Sequence, residues 1–188
     1  MTLANRLTML RVALAAAVFG ALMADGSRWH GAALVFFAAA VATDWLDGWL
    51  ARRTNSVSSF GKIADPIADK ILVLGTLLAL IRHKELAIPV WAVFLILMRE
   101  LVIGGMRLLA AAQGKSIAAE RTGKVKTVVQ CIAVLLILGI VILRDHGLAP
   151  GWMLASAGPL TILCAALALS SLLAYYRSYR ALLVKSWS

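Results

Sequence analysis

Acidic residues are scarce in this chain: nine Asp and Glu stand against nineteen Lys and Arg, a formal net charge of +10. A basic surplus of that kind is common in nucleic-acid binders. Here, however, the excess lies beside long apolar runs, where it sets topology and attracts anionic headgroups and phosphates, so no nucleic-acid partner is expected. Cysteine is almost absent. Cys131 and Cys164 both fall inside apolar runs at no metal-ligand spacing, which excludes a disulfide framework and predicts two small buried apolar side chains. The three histidines, His30, His83 and His146, lie in the outer loops between apolar runs, on the side away from the main acidic cluster. They are not candidates for ligands or bases there. No long linker, tandem repeat or low-complexity segment interrupts the chain, so residues 1–188 read as a single domain.

What the chain has in abundance is apolar sequence. Its apolar fraction of 62% and mean hydropathy of +0.88 exceed a soluble domain, in which about half of the residues are apolar. An all-α integral membrane protein follows. Taking runs of about 20 apolar residues as spans predicts six transmembrane helices: Leu7–Ala24, Gly31–Leu50, Pro66–Ile81, Ile88–Ala112, Val125–Leu143 and Met153–Tyr176. Of the nineteen basic residues only Arg28, Arg82, Lys84 and Arg144 fall on one side. The positive-inside rule then makes both termini cytoplasmic. The first run resembles a secretory signal, but Leu22 at the position three before a cut after Ala24 spoils the small-residue cleavage pattern, so a retained helix is expected.

Four of the nine acidic residues gather in one stretch: Asp44, Asp47, Asp65 and Asp69. On helices each pair, three and four residues apart, projects from one face. Four carboxylates around one point cannot all stay ionised unless cations lie between them. All-oxygen ligation favours a hard ion such as Mg²⁺ or Mn²⁺. Asp65 alone is explained equally well as a dipole-complementing carboxylate at a helix start; Asp69, followed by Lys70 and an apolar helix, is not. Between the pairs, Gly61 is expected to free the turn and Pro66 to open the next helix. Gly48 and Ala51 lower the surface of the second span, either for helix packing or for close approach of a ligand.

Charged residues within the later spans need protein or water around them. Arg99 and Glu100 form either a structural ion pair or part of a site. Arg107, Lys124 and Lys126, with Arg52, are placed to form an anion pocket at the same membrane face, or only to enforce topology. Tyr175, Tyr176 and Tyr179, with Arg177 and Arg180, read as an interfacial belt.

The spacing of Asp44, Asp47-Gly48, Ala51-Arg52, Gly61, Asp65 and Asp69 resembles, at every position, the signature of the CDP-alcohol phosphatidyltransferase family. The six predicted spans match that family's architecture. Asn5, Leu7-Thr8 and Arg11, Asp65-Pro66-Ile67-Ala68-Asp69-Lys70, Arg99-Glu100 with Arg107, and Gly123-Lys124-Val125-Lys126-Thr127 resemble the branch whose acceptor is sn-glycerol 3-phosphate. Ala4, where that branch often has proline, departs from it.

The resemblance implies a multi-pass enzyme of the cell (inner) membrane, commonly a homodimer, with its active site on the cytoplasmic side. It implies two divalent ions, Mg²⁺ or Mn²⁺, held by Asp44, Asp47, Asp65 and Asp69. It further implies that Asp47, Gly48, Ala51, Arg52, Gly61 and Thr8 bind CDP-diacylglycerol in the lipid bilayer and that Asp69 is the general base. Arg107, Lys124, Lys126 and Arg99 would then take the acceptor phosphate. Two alternatives stay open: another acceptor (inositol phosphate, serine or phosphatidylglycerol), and a divalent-cation transporter. The second needs an acidic path to the far side, where the sequence offers only Asp25, Glu85 and Asp145.

Overall fold

The computed structural model describes the backbone of residues 3–54, 59–112 and 121–187 and the side chains of residues 6–44, 67–68, 70–107 and 126–177. Among the described residues the regular structure is all helical. It comprises α1 (Leu3–Met23), α2 (Ser27–Thr54), α3 (Ser59–Leu80), α4 (Val90–Ala112), α5 (Arg121–Asp145), α6 (Gly151–Ala155) and α7 (Ala157–Trp187), with a 3-10 turn at Lys84–Leu86. Three of the prolines open helices: Pro89 directly precedes α4, Pro150 caps α6 and Pro159 lies in the first turn of α7. A fixed φ and a missing N–H cost nothing at such positions.

Pro66 corrects the expectation from sequence. The third helix starts at Ser59, so Gly61 lies within it and Pro66 stands in its interior. There the proline withdraws the amide that would bond the Lys62 carbonyl. Asp65 and Asp69 remain one turn apart on a continuous helix.

The helices are apolar on the outside as well as the inside. Met9, Phe19, Val35, Phe94, Leu101, Ile132, Leu163 and Leu173 are each at least 41% exposed. Water does not tolerate a girdle of that extent, and a bilayer covers it. Among the described residues three segments are long and apolar enough to cross: Arg6–Met23, Lys126–Asp145 and Gly151–Arg177. The chain is a membrane protein. Of the six predicted spans, five each fall largely on one long helix, whereas the sixth is broken at Ser156, between α6 and α7.

Inside, α1 packs along both α2 and α3, α5 joins α2 to α7, and α4 lies on α7. Val18, Leu22, Phe37, Leu77, Leu80, Ile96, Val134, Ile137 and Leu138 form the buried centre. Ala33, Ala40, Ala79, Ala92, Ala133 and Ala168 let neighbouring backbones approach. Cys164 is buried as expected, while Cys131 is only half-buried. Gly158 serves a closer approach: a Cβ there would meet the Ala87 carbonyl oxygen at 2.7 Å, so the start of α7 rests directly on the loop before α4.

The end of the bundle opposite the Asp residues is closed by charge pairing. His30, which lies in the first turn of α2 rather than in a loop, donates from Nδ1 to Asp145 at 2.5 Å. Arg144 binds Asp145 at 2.6 Å, pairs with Glu85 and reaches His83 Nδ1 at 3.0 Å. The two imidazoles meet edge to face, with centroids 5.1 Å apart. Arg82 reaches the terminal carbonyls of α1, Leu22 and Met23, and binds Asp25 at 2.7 Å, so the helix end is capped by a cation. Trp29, Trp91 and Trp152, exposed near the starts of α2, α4 and α6, ring this end as an interfacial belt.

Because arginine only donates, His83 must accept at Nδ1 and is therefore neutral. Burial, then the Arg144 charge, hold its pKa below the usual histidine value. The unfolded chain thus takes up a proton near pH 6.5 that the folded chain resists. His83's contribution to stability is full above that pH and is lost as pH falls through and below it. Glu85, held down chiefly by its own backbone amide, stays ionised over this range. The expected outcome is a thermal midpoint that drops between pH 7 and pH 5, with His83→Gln removing a clear part of the drop. An unchanged slope in that variant would assign the effect to other groups.

Candidate active site

Helix α2 carries Asp44 and Asp47, and helix α3 carries Asp65 and Asp69. The helical backbone places each pair one turn apart, as its spacing requires. Helix α1 packs against both carriers and supplies the first partner: buried Arg11 binds Asp44 Oδ1 through Nη2 at 3.0 Å. Thr8, one turn earlier on the same face, is buried as well. The Asp44 side chain remains 53% exposed, so this pair leaves it open to a further ligand.

The side chains of Asp47, Gly48, Ala51, Arg52, Gly61, Asp65, Asp69 and Lys124 lie outside the described residues. Among the described residues no group of three His, Cys, Asp or Glu side chains forms a metal cage. The donor set itself fits a hard divalent ion, being four carboxylates without thiolate or imidazole.

A second cluster links α3, α4, α5 and α7. Glu100 accepts from Arg99 Nη1 at 3.0 Å and pairs with Lys126, so the two buried cations share one carboxylate. Arg99 also donates through Nη2 to Ser171 Oγ at 2.5 Å. One turn further along α7, the Tyr175 hydroxyl accepts from Arg107 Nε at 3.0 Å, and the guanidinium lies 5.5 Å from the ring centroid. Lys70, the residue after Asp69, donates to the Glu100 carbonyl at 3.2 Å. Gly104 makes room for it: a Cβ there would stand 2.9 Å from the ammonium nitrogen.

Of the acceptor-phosphate candidates, Arg99 and Lys126 therefore come together on Glu100, and Arg107 stands further along α4, against Tyr175 of α7. The Arg99–Glu100 ion pair expected from sequence is present. Tyr175 is a correction: it is fully buried against Arg107 rather than part of the interfacial belt, whereas Tyr176 is 57% exposed. Sequence reasoning missed Arg11 as a partner of Asp44, and it missed Ser171. The available signal was the polar Ser171 standing four residues before Tyr175 in an apolar helix.

Removing the Ser171 hydroxyl leaves a buried guanidinium N–H without its acceptor. Ser171→Ala should destabilise the fold by about 1.5–3 kcal/mol, the usual scale for a hydrogen bond to a charged group, read as a lower midpoint in denaturant. A midpoint equal to that of the parent would mean that water replaces the hydroxyl.

Residues 1–172 match the CDP-alcohol phosphatidyltransferase family. The chain belongs to that family. It is similar to the CDP-diacylglycerol--glycerol-3-phosphate 3-phosphatidyltransferase of Bacillus subtilis, 39% identical over 145 residues that cover 70% of this chain and 74% of the relative. The chloroplastic/mitochondrial enzyme 1 of that name from Arabidopsis thaliana is 35% identical over 98% of this chain and 65% of its own length. The Escherichia coli enzyme of that name is 41% identical over 104 residues, 54% of this chain and 57% of the relative. Part of each relative's length thus lies outside the matched region. The family is divalent-metal dependent, which agrees with the donor set on α2 and α3.

Proposed function

We propose that this protein transfers the phosphatidyl group of CDP-diacylglycerol to sn-glycerol 3-phosphate, giving phosphatidylglycerophosphate and CMP. The observation that carries this reading is the bond from Lys70 to the Glu100 carbonyl. It ties the helix of Asp65 and Asp69 to the Arg99–Glu100–Lys126 cluster, which supports a carboxylate site beside a buried cation site. Such a pair of sites suits a reaction that joins a nucleotide-activated lipid to an acceptor bearing its own phosphate. The three far-end carboxylates argue against ion passage, since Asp25, Glu85 and Asp145 are each paired with arginine.

Asp44, Asp47, Asp65 and Asp69 would hold the divalent ions, Mg²⁺ or Mn²⁺ and two in number. Bound there, the metal supplies charge neutralisation at the pyrophosphate and at the departing CMP. Gly48, Ala51 and Gly61 leave room for the nucleotide, Asp47 and Thr8 line its approach, and Arg52 is available to phosphate oxygens. Arg11 orients Asp44. Asp69 takes the proton from the acceptor hydroxyl as its oxygen bonds to phosphorus; a carboxylate is too weak a base to remove it beforehand. Arg107, Lys124, Lys126 and Arg99 hold the acceptor's phosphate. Six spans with cytoplasmic termini would put both sites at the cytoplasmic face of the cell (inner) membrane, in one domain over residues 1–188 and within a homodimer.

The direct test is release of CMP from CDP-diacylglycerol by purified protein, with the lipid product identified for each of a panel of acceptors. Production of phosphatidylglycerophosphate only with glycerol 3-phosphate is expected, and a product formed preferentially from serine or an inositol phosphate would replace the acceptor. Within that assay Asp69→Asn should lose about 10²-fold or more in rate while still binding CDP-diacylglycerol; lost nucleotide binding would make Asp69 chiefly a ligand. Arg107→Gln and Lys124→Gln should each raise the KM for glycerol 3-phosphate at least tenfold, about 1.4 kcal/mol of lost binding. Unchanged acceptor KM in both would limit these residues to topology.

A further inference from the structure

Glu100 is the carboxylate with no part in the chemistry above, yet it accepts from more buried charge than any other described acidic side chain in this half of the bundle. Its side chain is 12% exposed and lies between Arg99 and Lys126, themselves 6% and 3% exposed. Its backbone carbonyl takes Lys70. Two cations buried this deeply repel each other and would draw apart, or one would shed its charge, if no anion stood between them.

Around this pairing two donors are left over. Arg99 Nε and Gln130 Nε2, the latter one turn beyond Lys126 on α5, are buried without a hydrogen-bond partner among the described residues. Buried donors of this kind normally have acceptors, and an oxygen-rich anion would supply them.

We infer that Glu100 is a positioning residue for the acceptor phosphate: it holds the Arg99 and Lys126 side chains in place, so that the pocket keeps both basic groups and its unfilled donors. Glu100 does not touch the phosphate; it acts through the two cations. This inference rests on the acceptor-pocket reading given above. It differs from a structural ion pair in one measurable respect, because a purely structural pair would affect folding and both substrates alike.

The experiment compares Glu100→Gln, Glu100→Asp and Lys126→Gln, each in full-length protein in detergent micelles, with KM measured separately for glycerol 3-phosphate and CDP-diacylglycerol and with thermal midpoints recorded. Lys126→Gln tests the pocket itself and should raise the acceptor KM about tenfold. Glu100→Gln should raise it comparably while the KM for CDP-diacylglycerol stays within about twofold. Glu100→Asp, which keeps the charge one methylene back, should show a smaller rise of about threefold. Should Glu100→Gln fail to accumulate as folded protein, the selective rise in Glu100→Asp remains the deciding measurement. A rise with Lys126→Gln but none with either Glu100 variant overturns the role of Glu100 and leaves the pocket standing. No rise with Lys126→Gln overturns both. A lower acceptor KM in Glu100→Gln would also overturn the inference, by making the carboxylate a competitor of the phosphate. Equal shifts in both KM values with a lowered midpoint would reduce Glu100 to a structural ion.

Discussion

Buried charge in an apolar bundle must be answered by charge of the other sign, and this requirement organises both ends of the protein. In the half that carries the Asp pairs, one glutamate answers two basic side chains from α4 and α5, and its own helix backbone receives a third from α3. At the far end the balance is closer to even: arginines and histidines from three parts of the chain meet Asp25, Glu85 and Asp145. One end is thus pinned shut by matched pairs, and the other keeps an excess of positive charge. An asymmetry of that kind is what a site for a doubly negative, water-borne substrate needs, because the local field gathers anions at the mouth.

Much of this was legible from residue order. Apolar runs of spanning length indicate the helices, and the spacing of Asp44, Asp47, Asp65 and Asp69 places each pair on one face. The charged residues inside spans were also recognisable as needing partners. Their partners were not. Arg11 meets Asp44 across two helices, Arg99 meets Ser171 at a separation of 72 residues and Arg107 meets Tyr175 at 68. Hydropathy and periodicity report which face of a helix is unusual and carry no information about which other helix lies against it. Tyr175 was misread for this reason: an aromatic near the end of a span beside arginines has the composition of an interfacial anchor, and only the packing of α4 on α7 turns it inward.

Pro66 shows a different limit. Proline favours a helix start, and the Ser- and Asn-rich segment ahead of it made that reading consistent, yet α3 begins seven residues earlier. Local propensity lost to tertiary context. The acidic pair survives the error because its geometry depends only on a continuous helix from Asp65 to Asp69.

Gly104 has no side chain, and for that reason it determines where a charge sits. The ammonium of Lys70 passes over α4 through the space that a methyl group would fill. An alanine at this position would count as the mildest of replacements by size or polarity. It would nevertheless oblige the flexible end of the Lys70 side chain to shift its ammonium from this position. Sequence variation at position 104 is therefore better judged by the room that a lysine on another helix requires than by the chemistry of the residue itself.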